Sequence, residues 1–362
     1  MRRRLLVIGG GYLGCGVVRR LDAEMDVTLI EAKDSFVHTP AMIRSLIEPG
    51  LIDRAIIPYD RLLARGRVIH ARATKVDADG VELDNGHRIE GDLILIATGS
   101  YHMDFLKPEG SSVAEFRVKH SEIAARIRQA RHIAVVGAGP AGIELAGEIA
   151  SARLGKQITL IATAQQLMPE YPRRLGRLLG RKLAAMGVTI LAGRAQLSSV
   201  QGADSLMLED GRTVSADLIL PAIGSLARND LLATLPGASV TANGRMQTDA
   251  WLRPSDYSRV FAGGDIAATG DSMTIVATMR QIPFLVKTLR HVAGGGDIRK
   301  RPPYRPWANA PILLPLGPQM GGSFLPVPAP FTSLGVVGDV LTRQLKGNDL
   351  FIQKYRKLLR QS

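Results

Sequence analysis

Two copies of one glycine-rich pattern constrain the fold of this chain most strongly. LLVIGGGYLGCGVVRRL (5–21) and IAVVGAGPAGIELAGEI (133–149) each contain an apolar strand, a G-x-G-x-x-G turn and the start of a helix. That order is typical of a dinucleotide-binding unit, because the N-terminus of the helix faces the pyrophosphate. One copy alone would be weak evidence. Two copies, each between a strand and a helix, predict two dinucleotide-binding units in tandem.

The glycines of each motif have three separate mechanical tasks. The first permits the tight turn, the second lets a pyrophosphate approach the backbone, and the third allows the helix to pack closely on the strand. The cofactor-binding glycines predicted in this way are Gly9, Gly11 and Gly14 in the first unit and Gly137, Gly139 and Gly142 in the second.

Further repeats support the same division of the chain. DVTLIE (26–31) and QITLIA (157–162) follow the two turns as second strands. The units then end in two closely similar segments, DLILIATGS (92–100) and DLILPAIGS (217–225). Glu31 closes the second strand of the first unit, at the position where a carboxylate binds the ribose hydroxyls of a dinucleotide.

A third landmark is RVFAGGDIA (259–267), an apolar strand that ends in Gly-Gly-Asp ahead of a helical segment (273–292). Asp265 has two interpretations. It is either the N-terminal cap of that helix or, read together with the first unit, a ligand of the ribityl chain of a flavin.

Composition narrows the class of protein further. The chain is 46% apolar and 22% charged, which is typical of a globular protein, and its net charge of +13 suits a polyanionic partner. Phosphate-rich cofactors, an anionic membrane and nucleic acid all fit that charge. The single cysteine, Cys15, excludes an internal disulfide, a Cys-x-x-Cys redox pair and a cysteine-based zinc site. We predict no metal site and expect Cys15 to be a small buried apolar residue.

The uncharged stretch Trp307–Gly338 is long enough to suggest a membrane span. Prolines would break a spanning helix there, so we predict short strands and turns and no transmembrane segment. The apolar run near the N-terminus is too short for a signal peptide, and Arg2 replaces the glycine that myristoylation needs. The prolines of the uncharged stretch are Pro311, Pro315, Pro318, Pro326, Pro328 and Pro330.

Together these motifs resemble the flavoproteins with two dinucleotide-binding domains. EAKDSFVHTPAMIRSLIEPG (31–50) and RQLKGNDLFIQKYRKLLRQS (343–362) further resemble the ferroptosis suppressor protein and apoptosis-inducing-factor-homologue branch. Members of that branch are FAD-dependent NAD(P)H:quinone oxidoreductases related to type II NADH dehydrogenases. The resemblance covers essentially the whole chain and implies FAD in the first unit, NADH or NADPH as co-substrate in the second, and a quinone substrate.

The resemblance and the repeats together predict an α/β fold. It contains two Rossmann-like dinucleotide-binding domains, the second inserted in the first, and a small C-terminal α+β domain. The predicted FAD-binding domain comprises residues 1–103 and 241–303, and the NAD(P)H-binding domain comprises residues 104–240. Residues 304–362 form a C-terminal domain that faces the quinone and the membrane.

The same resemblance implies particular ligands of FAD. Glu31 and Lys33 are expected to hold the adenosine end, and Ala73 offers its backbone near the adenine. Arg44 either approaches the flavin or pyrophosphate or is an ordinary surface arginine. The segments expected to close on the cofactor contain Thr98, Gly99 and Asp265.

Two residues are implied to be catalytic. Glu144 matches a glutamate that borders nicotinamide and flavin, and Lys346 matches a C-terminal lysine beside the isoalloxazine ring. The less favoured alternative for Glu144 is an ordinary helix-face carboxylate, and from the residues alone Lys346 is one basic residue among many. His38 lies in a loop expected near the flavin, but a loop histidine is more often structural, and we leave it out of the catalytic set.

The second unit departs from the usual pattern after its second strand. Ala162, Thr163 and Ala164 stand where an acidic residue is expected. A carboxylate there would repel a 2′-phosphate, so its absence removes a barrier to NADPH. Arg173 and Arg174 are candidate ligands of that phosphate, or simply solvated residues of a helix. The preference between NADH and NADPH therefore stays open.

The C-terminal charge suggests a location. Residues 299–362 hold ten basic residues against Asp339 and Asp349, and we predict peripheral contact with an anionic membrane, on the cytoplasmic (inner) face. A soluble basic domain is the alternative. Two other functions stay open: a soluble reductase that feeds a ferredoxin-type protein, and, less favoured, a nucleic-acid-binding or redox-signalling flavoprotein.

Overall fold

The two repeated patterns of the sequence form two separate parallel sheets. The computed structural model describes residues 2–110, 112–196, 205–254, 257–327 and 334–361. The elements up to Tyr101 are β1 Arg4–Ile8, α1 Tyr12–Leu21, β2 Asp26–Glu31, β3 Ser35–Val37, α2 Thr39–Ser45, α3 Leu51–Ala55, β4 Ile56–Pro58, β5 Arg67–His70, β6 Ala73–Val76, β7 Gly80–Leu83, β8 Arg88–Glu90, β9 Leu93–Ile96 and β10 Ser100–Tyr101.

The second unit follows without interruption. Its central strands read as continuous apolar runs because both faces of the parallel sheet are buried, one under helices and the other under a short β-hairpin. Its elements are α4 Val113–Gln129, β11 His132–Val136, α5 Pro140–Ser151, β12 Gln157–Ala162, α6 Arg173–Ala185, β13 Val188–Ala192, β14 Ser205–Met207, β15 Thr213–Ser215, β16 Leu218–Pro221 and β17 Leu226–Ala227. The parallel sheet has the strand order β13-β12-β11-β16.

The chain then returns to the first sheet through β18 (Val260–Ala262), which pairs in parallel with β9. The first sheet thus has the order β18-β9-β1-β2-β5, and the second unit lies between two parts of the first. A short 3₁₀ turn, Gly264–Ile266, and the helix α7, Ile275–Ala293, follow. The predicted insertion and the predicted second strands, 26–31 and 157–162, are confirmed, whereas the domain boundaries themselves stay predictions.

The end of the first similar segment (92–100) meets the residues that directly follow the second (217–225). β10 and β17 pair antiparallel, with Ser100 opposite Ala227 and Tyr101 opposite Leu226. Arg228 also donates its backbone N–H to the carbonyl of Gly99, at 2.9 Å. These contacts join the segment in which the chain leaves the first unit to the segment in which it returns from the second.

The C-terminal region forms the small α+β domain that the sequence predicts. The antiparallel sheet β19-β20-β21 replaces any spanning helix in the described part of Trp307–Gly338; Pro328 and Pro330 lie outside the described residues. No helix within the described ranges has both the length and the apolarity to cross a membrane. The elements are β19 Ile312–Leu316, β20 Met320–Phe324, β21 Val336–Val337, α8 Asp339–Thr342, a π-helical turn Arg343–Gly347 and α9 Ile352–Leu358.

This small domain packs against both nucleotide-binding units. β19 lies on α5 of the second unit, where a Cβ on Gly147 would stand 2.8 Å from the Cα of Leu316. Tyr355 and Leu359, from α9 and its end, belong to the apolar core of the first unit. Because it contacts both units, the C-terminal domain reaches the space between them.

Candidate active site

The two glycine turns have the same backbone geometry. Gly9 and Gly137 have φ angles of +105° and +108°, a region that favours glycine. A Cβ on Gly14 would stand 1.9 Å from the carbonyl oxygen of Gly9, and Gly142 has the same relation to Gly137. The first and third glycines are thus required by the turn and by the packing of helix on strand.

The second glycine of each motif has a different environment. A Cβ on Gly11 or on Gly139 would meet no atom of the described chain within 4 Å. Fold packing therefore does not explain glycine at these two positions. Open space beside the N-terminus of a helix is what the close approach of a pyrophosphate requires.

Most of the predicted site residues line a single cavity of about 530 Å³. It extends from the first glycine turn past β6 and the β9 loop to α5 and the C-terminal turn. Gly14, Arg44 and the second-unit glycines are not among its lining residues. The predicted residues that line it are Gly9, Gly11, Glu31, Lys33, Ala73, Thr98, Gly99, Glu144, Asp265 and Lys346.

Glu31 lines the cavity, and neighbouring groups hold its carboxylate in place. One carboxylate oxygen accepts the N–H of Gly10 at 2.5 Å, and the other accepts the N–H of Lys33 at 3.0 Å and pairs with the Lys33 ammonium. Burial raises the pKa of Glu31, but Lys33 and these N–H groups outweigh it and the net pKa is lowered. The carboxylate is therefore ionised, and its remaining lone pairs can accept ribose hydroxyls.

Asp265 lies in the 3₁₀ turn after β18, with its carboxylate held at the cavity. The hydroxyl of Ser100 donates to it at 2.7 Å. The alternative of a helix cap is wrong: α7 begins at Ile275, and Thr274 caps it by accepting the N–H of Ala277. Two residues before Ser100, the Thr98 hydroxyl donates to the backbone carbonyl of Arg228 at 3.0 Å.

Lys107 also lines this cavity, although no sequence motif predicts it as a site residue. Its ammonium donates to the Ser100 hydroxyl at 3.0 Å and lies 3.9 Å from Asp265. Burial lowers the pKa of Lys107 to about 8, although Asp265 opposes the shift. Arg228, which no motif predicts either, packs over the Tyr101 ring, 4.1 Å from its centroid. Each is a single basic residue in a loop, so no periodicity or motif marks it in the sequence.

Glu144 and Lys346 form a buried ion pair. The ammonium of Lys346 donates to Oε1 of Glu144 at 2.5 Å and to the carbonyl of Leu313 at 3.1 Å. Burial raises the pKa of Glu144, and the charge of Lys346 only partly offsets this effect. Two residues that the sequence analysis proposes separately are thus brought into contact, across the boundary between the second unit and the C-terminal domain.

Lys346 also borders a second cavity, on the C-terminal domain, which is lined by far fewer residues than the first. The side chain therefore separates the large cavity from a smaller opening at the surface. The other residues around this opening are Gln344, Leu345, Asp349, Phe351, Gln353, Lys354 and Lys357.

The expectation for Arg44 is corrected by the structure. Arg44 is 3% exposed, so it is not a surface arginine, and it is not among the residues that line the cavity. Its guanidinium makes a bidentate contact with Glu148 at 2.9–3.2 Å and donates to the carbonyl of Gly347 at 2.6 Å. With these partners it is buried between the two units and the C-terminal turn.

His38 and Cys15 are both buried, and neither lines either cavity. His38 is fully buried; its Nε2 lies 2.5 Å from the carbonyl of Leu350, and Nδ1 lies 3.1 Å from the Tyr12 hydroxyl. Burial and the charge of Lys346 lower the pKa of His38 to about 4, so it is neutral at pH 7. Cys15 is buried and donates to the carbonyl of Gly10 at 3.1 Å.

The donor set of the large cavity fits FAD. A glycine turn with open space beside a helix N-terminus suits the pyrophosphate, an anchored carboxylate suits a ribose, and Asp265 suits the hydroxyls of a ribityl chain. Among the described residues, no cluster of histidine, cysteine, aspartate and glutamate is arranged to hold a metal ion.

Comparison with known proteins agrees with this geometry. The family model described as pyridine nucleotide-disulphide oxidoreductase matches residues 3–282. The chain belongs to this family. Its members depend on FAD and NAD(P)H, so the predicted cofactors are confirmed and the chain is an oxidoreductase. The family name includes disulphides, but the single cysteine of this chain cannot form a redox dithiol.

The relatives confirm the resemblance to the ferroptosis suppressor branch. Apoptosis-inducing factor homolog B of Dictyostelium discoideum is 26% identical over 379 residues, which cover 98% of this chain and 96% of the relative. Ferroptosis suppressor protein 1 of Homo sapiens is 24% identical, with coverage of 99% and 96%. Among solved structures, the sulfide:quinone oxidoreductase from Aquifex aeolicus has a TM-score of 0.75 at 19% identity, with coverage of 99% and 91%.

Proposed function

We propose that this chain is a FAD-dependent NAD(P)H:quinone oxidoreductase. The observation that carries the proposal is the position of Lys346, which lines the large cavity on one side and the smaller C-terminal cavity on the other. Bound FAD supplies the redox chemistry, by accepting a hydride from NAD(P)H and delivering two electrons to the quinone, which takes up two protons. The protein supplies orientation and charge.

Lys346 supplies a fixed positive charge at this wall. Its ammonium has two acceptors among the described residues, Glu144 and Leu313, and an ammonium has three N–H donors. One N–H is therefore left for a ligand in either cavity. A cation here favours an anionic group that develops beside it, by Coulomb attraction that is stronger because the Lys346 side chain is only 12% exposed.

Glu144 belongs to the part of the cavity wall that the second unit supplies. Pro140, Ala141 and Glu144, from the N-terminal half of α5, all line the large cavity. A dinucleotide on the second glycine turn would extend along this helix toward the ion pair. We assign Glu144 the task of positioning the nicotinamide ring and of holding Lys346 in place.

The C-terminal cavity suits an apolar acceptor with polar carbonyl groups. Leu345 and Phe351 contribute apolar surface there, and Lys346 stands at its inner end. A quinone approaching from this side would not compete with the nucleotide for space. This separation favours the quinone reductase over the ferredoxin-type reductase, which would need no apolar cavity at the C-terminal domain.

The described part of the C-terminal domain has four exposed large apolar side chains, one of which, Leu345, borders this opening. Leu334, Val340, Leu341 and Leu345 are 64%, 61%, 43% and 41% exposed. Lys354 and Lys357 border the same opening and are exposed. Apolar residues beside cations suit an anionic membrane surface. One of the ten basic residues counted in this region, Lys346, is paired with Glu144 and does not add to the charge that the surface presents to a membrane.

The proposed activity is tested by steady-state kinetics with NADH and NADPH against three acceptors: a ubiquinone analogue, menadione and ferricyanide. We expect turnover with all three acceptors, and we expect each quinone alone to reoxidise the reduced flavin continuously. Reduction of ferricyanide without reduction of either quinone would overturn the quinone assignment and leave the oxidoreductase intact. An acidic ferredoxin-type protein serves as a fourth acceptor, and turnover with that protein but with neither quinone would favour the alternative reductase.

Membrane contact has a separate test with liposomes of anionic and of neutral lipid. We expect co-sedimentation with the anionic liposomes only, reversed by salt, because exposed charges are screened over about 8–10 Å. Substitution is preferable to truncation, since α9 contributes Tyr355 to the core of the first unit. Val340→Ser with Leu341→Ser should weaken binding, whereas Val118→Ser, an exposed apolar residue on α4, should not. Equal binding by both variants would count against this surface.

A further inference from the structure

Arg44 is the point at which three parts of the chain meet in the protein interior. It lies on α2 of the first unit; its partner Glu148 lies on α5 of the second unit, and Gly347 lies in the π-helical turn of the C-terminal domain. The side chains of Arg44 and Glu148 are 4% and 3% exposed. A guanidinium has a planar fork of N–H groups, which suits two partners in fixed directions better than an ammonium does.

Both partners of Arg44 are direct neighbours of the ion pair. Glu148 is four residues after Glu144 on α5, and residues at this spacing share one face of a helix. Gly347 directly follows Lys346. The Arg44 guanidinium therefore fixes the helix that carries Glu144 and the turn that carries Lys346 relative to one another.

The surroundings give the contact little freedom. Gly347 is buried, and a Cβ there would stand 3.2 Å from the carbonyl oxygen of Pro318, so the turn is tightly packed. α2 itself borders the large cavity through Thr39, Pro40 and Ile43. A shift of the Arg44 contact would thus be transmitted to the cavity wall and to the ion pair.

From this arrangement we infer that Arg44 is a positioning residue of the hydride-transfer site, not a ligand of FAD. It acts through Glu148 and Gly347 on the separation of Glu144 and Lys346. The inference rests on the proposed function, in which this ion pair borders the reacting nicotinamide. It contradicts the role that family resemblance gives to Arg44, because no part of its guanidinium faces the cavity.

The test is anaerobic stopped-flow reduction of the bound flavin by NAD(P)H, which requires no quinone. We expect Arg44→Met to keep its FAD, with FAD affinity within about threefold of the wild type, and to lose about 10- to 100-fold in limiting reduction rate, since a misplacement of about 1 Å can have such an effect. Arg44→Lys should recover only a small part of the rate. A loss of FAD affinity as large as the loss of rate would overturn the inference in favour of direct FAD binding.

A matched control is Arg54→Met. Arg54 also connects the first unit to the C-terminal segment, through Asp349 at 3.7 Å, but it is exposed and forms no ion pair with Glu144 or Glu148. It should reduce the flavin at the wild-type rate. If Arg44→Met fails to fold, Glu148→Gln replaces it, because glutamine keeps an acceptor for Arg44 but removes the charge; we expect an intermediate loss of rate.

A double-mutant cycle separates positioning from general damage to the fold. In a Lys346→Met background the ion pair is already absent, so Arg44→Met, or Glu148→Gln, should add little further loss of rate. Losses that multiply would show an independent structural effect and overturn the inference. If Lys346→Met leaves flavin reduction unchanged, both the proposed role of the ion pair and the inference about Arg44 fail. If Lys346→Met slows flavin reduction but Arg44→Met does not, only the inference about Arg44 fails.

Discussion

The Nζ of Lys346 lies 2.5 Å from Oε1 of Glu144, although the two residues are 202 positions apart in the chain. The contact joins a helix of the second nucleotide-binding unit to the C-terminal domain. Their side chains are 12% and 8% exposed, so neither charge is well solvated without the other. Loss of one partner from a buried pair is costly, by about 3–5 kcal/mol, because the remaining charge stays buried.

The first prediction follows from this pair. Lys346→Met should lower the thermal midpoint by more than the double variant Lys346→Met/Glu144→Gln does, because the double variant leaves no unpaired charge. Turnover with a water-soluble quinone should fall at least about tenfold in Lys346→Met, as expected for one lost electrostatic contact at a reaction site. Differential scanning calorimetry and steady-state kinetics give the two readouts.

Lys182→Met is the matched control for this prediction. Lys182 pairs with Asp339, and so also connects the second unit to the C-terminal domain, but it does not line either cavity. It should lower the thermal midpoint without a tenfold loss of turnover. Unchanged soluble-quinone turnover in Lys346→Met would mean that this lysine does not act on the flavin.

The second prediction uses the two kinds of glycine in each turn. Gly11→Val should give a folded protein without FAD, because its side chain would occupy open space that the pyrophosphate needs. Gly14→Ala should instead destabilise the fold itself, since its Cβ would overlap the carbonyl of Gly9. Visible absorbance reports bound flavin and circular dichroism reports folding. FAD bound by folded Gly11→Val at wild-type affinity would contradict the assignment.

Gly139→Val provides the corresponding variant of the second unit. The space beside Gly139 is also open, so we expect this variant to fold and to retain FAD. Its flavin should no longer be reduced by NAD(P)H at concentrations that saturate the wild type, while dithionite still reduces it. A variant that loses FAD instead would place the flavin pyrophosphate on the second turn.

Sequence analysis predicts the fold well because local patterns encode it. Spacing alone predicts the glycine turns at Gly9 and Gly137. It also predicts the second strand of each unit, 26–31 and 157–162, and the structure contains all of these elements. The site is less predictable, because its contacts join residues that are distant in the chain. Nothing near Arg44 in the sequence indicates Glu148 as its partner, and nothing near Lys107 indicates its approach to Asp265.

The third prediction concerns pH and His38. Its pKa is lowered by burial to about 4 in the folded protein, whereas an unfolded histidine titrates near pH 6.5. Between pH 6.5 and 4 the unfolded chain therefore binds more protons, so the free energy of unfolding falls as the pH falls through this window. The loss is about 1.4 kcal/mol for each pH unit, and on the order of 3 kcal/mol in total.

His38→Gln isolates this effect. Glutamine can still donate to the carbonyl of Leu350 but does not titrate, so the variant should lose less stability than the wild type between pH 6.5 and 4. Above pH 7 the difference between the two proteins should be constant. Thermal midpoints measured at several pH values give the comparison. Parallel curves across the acidic window would show that His38 is protonated in the folded protein as readily as in the unfolded one.

The fourth prediction concerns the choice between NADH and NADPH. Gly9 and Gly137 each donate a backbone N–H to the strand beside them, to the carbonyls of Ile30 and Ile161, both at 2.9 Å. The next residues, Glu31 and Ala162, therefore occupy equivalent positions in the two units. The first unit has an anchored carboxylate there, and the second has a methyl group.

Ala162→Glu should install the missing carboxylate. It would accept the N–H of Ala138 as Glu31 accepts that of Gly10, and it would meet the adenosine ribose of the nucleotide. A 2′-phosphate would be repelled and a 2′-hydroxyl would gain an acceptor. We therefore expect kcat/KM for NADPH to fall by at least about tenfold, and that for NADH to stay the same or rise, as expected for about 1.4 kcal/mol of added discrimination.

Ala162→Gln is the control, because it adds similar volume without charge. It should affect both nucleotides to the same degree, through packing alone. The ratio of kcat/KM values for NADH and NADPH, measured with ferricyanide for all three proteins, isolates the charge effect. A ratio that shifts equally in the glutamine and glutamate variants would mean that the ribose does not bind at this position. Residues 31 and 162 would then be equivalent in backbone position but not in what they bind.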